Sequence, residues 1–262
     1  MYFRLSLQAS IICLLVAASC FLVNKSQADA PAPIIAVASN MHFVIDELAM
    51  GFKKETGLNV RFAFGSSGNL ARQILQGAPF EMFMSADEDY VFKIHDAGKT
   101  INKGQVYGLG RIVTFIPVQS ALRGATFPED YPSVFAKQTN KRFAIANPDL
   151  APYGRAAKEA LSYVQLWDQI HPHLIYGETI TQSAQFSISG STMGGIIAYS
   201  LALSSPLAGK GNYQLIPAHW HKPIGQRMVL LKNAGETARK FYQYIGRSKA
   251  IEILGRNGYV RP

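Results

Sequence analysis

Phe64-Gly65-Ser66-Ser67-Gly68-Asn69-Leu70-Ala71-Arg72-Gln73-Ile74 carries an apolar run into two serines flanked by glycines, then into residues with helical spacing. The order reads as a strand, a tight polar turn and the opening of a helix. A helix start leaves backbone N–H groups without internal partners and carries partial positive charge, so hydroxyls placed there extend a ready anion site. Ser, Gly and Asn before a helix also serve as ordinary caps. One such turn does not separate the two readings; several converging turns do.

Outward from this turn, strand and helix alternate. Ile34 to Ala38 is a compact apolar strand without alternation, as in a parallel sheet covered on both faces. Ser39-Asn40 opens a helix with Ile45, Leu48, Ala49 and Phe52 on one face, and Thr56-Gly57 stops it. Leu58 to Phe64 is the second strand, and Leu70, Ile74 and Leu75 face inward from the helix that follows. Met82-Phe83-Met84 is the third strand, and Asp87-Glu88-Asp89 opens the next helix. Those three acidic residues read as helix-dipole partners rather than metal ligands.

After a Gly-rich connection, Arg111 to Pro117 reads as a crossing into a second unit. Its strands are Arg142 to Ala146, His173 to Ile175, Gly194 to Ala198 and Tyr213 to Pro217, with helices opening at Pro152 and Ile180. A return crossing is placed near His219 to Gly225, before Arg227 to Leu231. The helical tail, Glu236 to Ile245 and Ser248 to Leu254, covers the first unit. The expected fold is α/β with two lobes: residues 29–111 and 226–262 in the first, 112–225 in the second, and a cleft between them.

Composition narrows the function. The chain has 262 residues, 48% hydrophobic and 16% charged, which excludes a disordered protein. The formal charge is +9, but Lys and Arg are dispersed, which reads as a solvated basic surface and not as nucleic-acid binding. Arg4, the apolar run Ile11 to Val23 and the small residues of Ser26-Gln27-Ala28 read as a signal peptide, residues 1–28, cleaved after Ala28. The run is too short for a bilayer span of roughly 20 residues. Cys13 and Cys20, the only cysteines, fall inside it, so the mature chain is expected to lack disulfides and thiolate chemistry. Lipidation at Cys20 is the alternative, weakened by the missing leucine three places before it.

Four strand-to-helix turns end in small or hydroxyl residues: Ser39-Asn40, Ser66-Ser67, Pro152-Tyr153-Gly154 and Thr179-Ile180-Thr181. Ligands of open parallel sheets sit beyond the carboxyl ends of the strands, so two turns from each lobe would meet across the cleft. None has a carboxylate, Lys or Arg at its centre. Hydrogen phosphate needs an acceptor for its proton, whereas a deprotonated tetrahedral dianion does not, so a donor-only cage favours sulfate-like or molybdate-like ions. Hydrogen bonds to a charged group contribute roughly 1.5–3 kcal/mol each. Six of them exceed the roughly 8–12 kcal/mol of micromolar to nanomolar binding.

Catalytic readings are weaker. Neither Gly190-Ser191-Thr192-Met193-Gly194 nor the Ser66-Ser67 turn has the glycine-x-serine-x-glycine order of a nucleophile elbow. Gly98-Lys99-Thr100 lacks the first glycine of a phosphate loop, since Lys93 occupies its place. A hydrolase using Ser67 would need a general base, and His42 is the histidine near the first-lobe turns. His171, His173, His219 and His221 have no recognised ligand spacing and read as surface or hinge residues.

Ala36-Val37-Ala38-Ser39-Asn40, the Phe64 to Ile74 stretch, Gly77-Ala78-Pro79, Ser85-Ala86-Asp87, Asn147-Pro148, Pro152-Tyr153-Gly154 and Gly195-Ile196-Ile197 together resemble the periplasmic molybdate-binding proteins of ABC transporters. The resemblance covers nearly the whole mature chain. It implies a type II periplasmic binding protein fold: two lobes, each a mostly parallel sheet flanked by helices, with two crossover strands as hinge. It implies a non-enzymatic, monomeric periplasmic receptor that closes on molybdate or tungstate and delivers it to a membrane permease, with no cofactor, no free-cation site and no nucleic-acid partner. By position, the resemblance assigns ligand hydroxyls to Ser39 and Ser67, backbone donors to Tyr153 and Ile180, and an additional donor to Asn40. The tyrosine ligand of many members is replaced here by Ala198.

Overall fold

The computed structural model of the protein describes residues 31–138 and 140–261. The expected leader, its cleavage site and both cysteines lie outside the described residues. Six elements alternate first: β1 (Ile34–Ala38), α1 (Val44–Thr56), β2 (Arg61–Gly65), α2 (Ser67–Leu75), β3 (Met82–Ser85) and α3 (Glu88–Asp96). Next come β4 (Gln105–Gly110), β5 (Ile112–Pro117), α4 (Tyr131–Lys137), β6 (Arg142–Ala146), α5 (Pro152–Tyr163), α6 (Trp167–Ile170), β7 (Leu174–Gly177), α7 (Ile180–Ser187), β8 (Thr192–Ala198), α8 (Tyr199–Ala202) and β9 (Gly211–Leu215). The chain closes with β10 (Ile224–Leu230), α9 (Glu236–Ile245) and α10 (Ser248–Arg256).

Two five-stranded sheets result, in the orders β2-β1-β3-β10-β4 and β7-β6-β8-β5-β9. Both follow one plan. Three adjacent strands run parallel, and a strand from across the chain, β10 or β5, lies antiparallel between the third and fourth. β4 and β5 are separated only by Arg111, and residues 216–223 lead back from β9 to β10, so the chain crosses between the sheets twice. The fold is that of a two-lobed periplasmic binding protein, with these crossings as its hinge. β4, hidden in the sequence by its glycines, is stabilised by ten-strand-sheet neighbours β10 and by Val260, whose backbone pairs with Leu109.

Each element follows from its residues. Alternate residues of β1 serve opposite faces of the first sheet: Ile35 and Val37 pack under α1, α9 and α10, while Ala36 packs with Leu70 and Ile74 of α2 and Val91 and Ile94 of α3. α1 buries Val44, Ile45, Leu48 and Phe52 and ends at Gly57, whose φ of 73° supplies the left-handed residue that stops the helix. Ala238, Phe241 and Tyr244 of α9 and Ile253 and Leu254 of α10 complete that layer. The second core, around Phe115, Phe143, Ile145, Ile196 and Ile197, also takes in Ala38 and Ala86 of the first lobe, so the lobes touch.

Candidate functional site

Sheet register sets the site. Ala38 of β1 lies beside Gly65 of β2, and Val37 lies beside Met84 of β3. The residues that follow, Ser39, Ser66 and Ala86, therefore leave the sheet edge side by side. In the second lobe Ala146 pairs with Gly177, which brings the turns before α5 and α7 to the same edge.

The four turns meet. Ser39, Asn40, Ser67, Tyr153 and Ile180 all line one cavity, completed by Ala38, Gly65, Ser66, Ala86, Ala151 and Pro152. No lining residue is charged. The cavity is about 10 Å³, on the scale of one water molecule, so a four-oxygen ion enters only if the lobes part.

The donors are distributed as follows. Ser66 is the N-cap of α2, its hydroxyl 3.4 Å from Asn69 N–H, and Ser67 is the first helical residue. Ser67 Oγ accepts from Ala86 N–H at 3.0 Å. That bond leaves the hydroxyl proton of Ser67 free to be donated to an anion. Ser39 opens a single 3-10 turn, Ser39–Met41, and its carbonyl accepts from the Thr181 hydroxyl of the other lobe at 2.8 Å. Tyr153 and Ile180 occupy the second position of α5 and the first of α7, where backbone N–H groups have no intrahelical acceptor. Thr179, the N-cap of α7, spends its hydroxyl on Gln182 N–H.

Asn40 is committed elsewhere. Its amide nitrogen donates to Gln226 Oε1 at 2.9 Å and to the Tyr259 hydroxyl at 2.7 Å. Gln226 Nε2 donates to the Tyr153 hydroxyl at 3.5 Å, and Tyr259 donates to the Asn40 carbonyl at 3.2 Å. The Tyr153 phenol thus faces this buried network. Burial pushes the phenols of Tyr107, Tyr153 and Tyr259 up from their usual value, so all three stay protonated at neutral pH. Gln226 and Tyr259 carried no signal in the sequence: they lie 186 and 219 residues from Asn40. Ala198, where the tyrosine of many family members would stand, is fully buried at the end of β8.

Further bonds tie the lobes together around the cavity. Gly68 N–H donates to the Leu150 carbonyl at 3.1 Å, and Asn69 Nδ2 to Glu178 Oε1 at 2.5 Å. Asp87, already the N-cap of α3, forms an ion pair with Arg155. The His42 ring packs on Phe43 and Phe64, with centroids 4.9 and 4.5 Å away. Among the described residues no histidine bonds to Ser67, so the serine lacks a general base. No group of three or more His, Cys, Asp or Glu able to hold a metal occurs among the described residues.

An uncharged donor cage between two lobes hinged by paired crossings defines a solute-binding protein, not an enzyme. The chain belongs to the bacterial extracellular solute-binding protein family, which it matches over residues 34–260. It is 33% identical over 232 residues to the molybdate-binding protein ModA of Rhodobacter capsulatus, covering 87% of each chain. It is 32% identical over 228 residues to ModA of Azotobacter vinelandii, covering 86% of this chain and 88% of the relative. The solved periplasmic molybdate-binding protein of Azotobacter vinelandii superposes with a TM-score of 0.78 at 29% identity, across 88% of this chain and 99% of that one.

Proposed function

We propose that this chain is the periplasmic receptor of an ABC importer, capturing molybdate, and tungstate with it, and delivering the ion to a membrane permease as a monomer. Ser39 and Ser67 supply hydroxyl donors, and Tyr153 and Ile180 supply backbone N–H groups. Asn40 contributes its backbone N–H while its side chain holds the turn in place. The mature chain begins after the leader, residues 1–28, and divides into residues 29–111 with 226–262 and residues 112–225. The observation that carries this reading is the convergence of donors from four turns and both lobes on one cavity with no charged wall. Such a cavity solvates a dianion without offering an acceptor to a protonated one.

A thermal-shift panel with molybdate, tungstate, sulfate and phosphate tests it. At a hundredfold excess over Kd, ligand binding adds about 2.7 kcal/mol to the folded state. Molybdate and tungstate are expected to raise Tm at micromolar concentration, and sulfate and phosphate to leave it unchanged. A shift with sulfate and none with molybdate would assign the site to a sulfate receptor.

A further inference from the structure

We propose that the Asp87–Arg155 ion pair is the latch of the anion cage and the shield that keeps a carboxylate from acting on the bound ion. The proposal rests on the reading of the cage as a tetrahedral-oxyanion site. Ala86 and Pro152 line both the cage and a neighbouring cavity of about 400 Å³, whose walls include Asp87, Arg155, Glu159 and Lys222. That cavity is the vestibule of the cage, and the ion pair spans it from one lobe to the other.

The two partners are fixed to the cage walls. Asp87 directly follows Ala86, whose N–H holds Ser67, and its Oδ1 accepts from Asp89 N–H at 2.9 Å while Oδ2 faces Arg155. Arg155 lies two residues beyond Tyr153 on α5. The pair joins elements that move together only when the lobes are closed, so opening must break it. The other vestibule acids have partners of their own: Glu88 takes Arg227 at 2.9 Å, and Glu159 accepts from Lys222 N–H at 2.8 Å. Asp87 is therefore the carboxylate that Arg155 alone neutralises beside a site for a dianion. Its side chain is 11% exposed, against 41% for Arg155, so water screens it poorly.

Two consequences are distinct. Removing Arg155 breaks the latch and leaves Asp87 repelling the ion; removing the Asp87 charge breaks the latch but leaves a free guanidinium that attracts it. Arg155→Gln, Asp87→Asn and the double variant separate them, and Asn at 87 keeps a competent N-cap. Stopped-flow fluorescence with sodium molybdate, reported by Trp220 beside the return crossing, gives both rate constants, and melting curves confirm folding.

Arg155→Gln is expected to raise koff roughly three- to tenfold, the scale of a partly exposed pair, and to lower kon. Asp87→Asn is expected to raise koff without lowering kon. In the double variant kon recovers and koff is no higher than in Arg155→Gln, as coupled residues require. Both single variants keeping koff within twofold of wild type, or effects that multiply in the double variant, would overturn the latch. Wild-type protein that ignores molybdate instead overturns the ligand reading, and the same rate pattern is then expected with sodium sulfate.

Discussion

Ser67 Oγ and the Ala86 N–H lie 3.0 Å apart, the hydroxyl accepting from the backbone amide. The bond fixes the serine oxygen against the end of β3 and turns its proton toward the cavity. Ser67→Ala removes the anion's donor and strands a buried amide together. Molybdate affinity measured by calorimetry is expected to fall by about 1–3 kcal/mol, the range for an unpaired charged acceptor; unchanged affinity would remove Ser67 from the cage.

Gly68 is where the lobes come closest. A Cβ there would lie 2.9 Å from both the Leu150 carbonyl and the Tyr90 hydroxyl, one in each lobe. Gly68→Ala is expected to strain the closed form by about 1–3 kcal/mol, as overpacking does, and to leave the separated lobes untouched. Its signature is weaker molybdate binding with an unshifted Tm in ligand-free buffer. Equal loss in both measurements would mean that the residue serves folding and not closure.

Tyr259 carries the C-terminal tail into the site, accepting from Asn40 and donating to its carbonyl. Tyr259→Phe leaves an Asn40 N–H buried without an acceptor, at a cost of about 1–3 kcal/mol. A lower urea midpoint with an unchanged m-value is the expected result, accompanied by weaker anion binding because the Ser39-Asn40 turn loses its anchor. A stability equal to wild type would place Tyr259 outside the network.

Alkaline pH tests the same residue without ligand. Burial raises the Tyr259 phenol above its usual 10.0, although hydrogen bonds with Ser200 and Asn40 pull the other way. Above pH 10 the unfolded chain loses this proton while the folded protein keeps it, so the unfolded state binds fewer protons and stability falls as pH rises. Tm is expected to drop more steeply between pH 9 and 11.5 in wild type than in Tyr259→Phe. Parallel slopes would assign the alkaline loss to other groups.

Local chemistry made the frame readable. The apolar, non-alternating β1 and β3, the amphipathic α1 and the helix stop at Gly57 each declare themselves within a dozen residues. The split between Ser66 as cap and Ser67 as first helical residue also follows from the turn itself. β4 was not readable, because Gly108 and Gly110 resemble loop residues; Gly110 is required where the Tyr153 hydroxyl leaves no space for a Cβ. α4 and α6 were also hidden in segments read as irregular, since short helices gain their stability from packing. The role of Asn40 changed for the same reason: its type and position mark a donor, but the partners that claim its amide come from β10 and the tail.

By itself, the sequence determined that this protein is two alternating α/β units ending in four donor-rich turns without charge, because period, caps and composition are properties of neighbouring residues. The tertiary structure alone decided that the four turns share one cavity, that Gln226 and Tyr259 consume the Asn40 amide, and that Asp87 meets Arg155 across the cleft. Those outcomes depend on sheet register and on the two crossings between the lobes. They join residues far apart in the chain, whose chemistry is set by burial and contact and not by what stands beside them in the sequence.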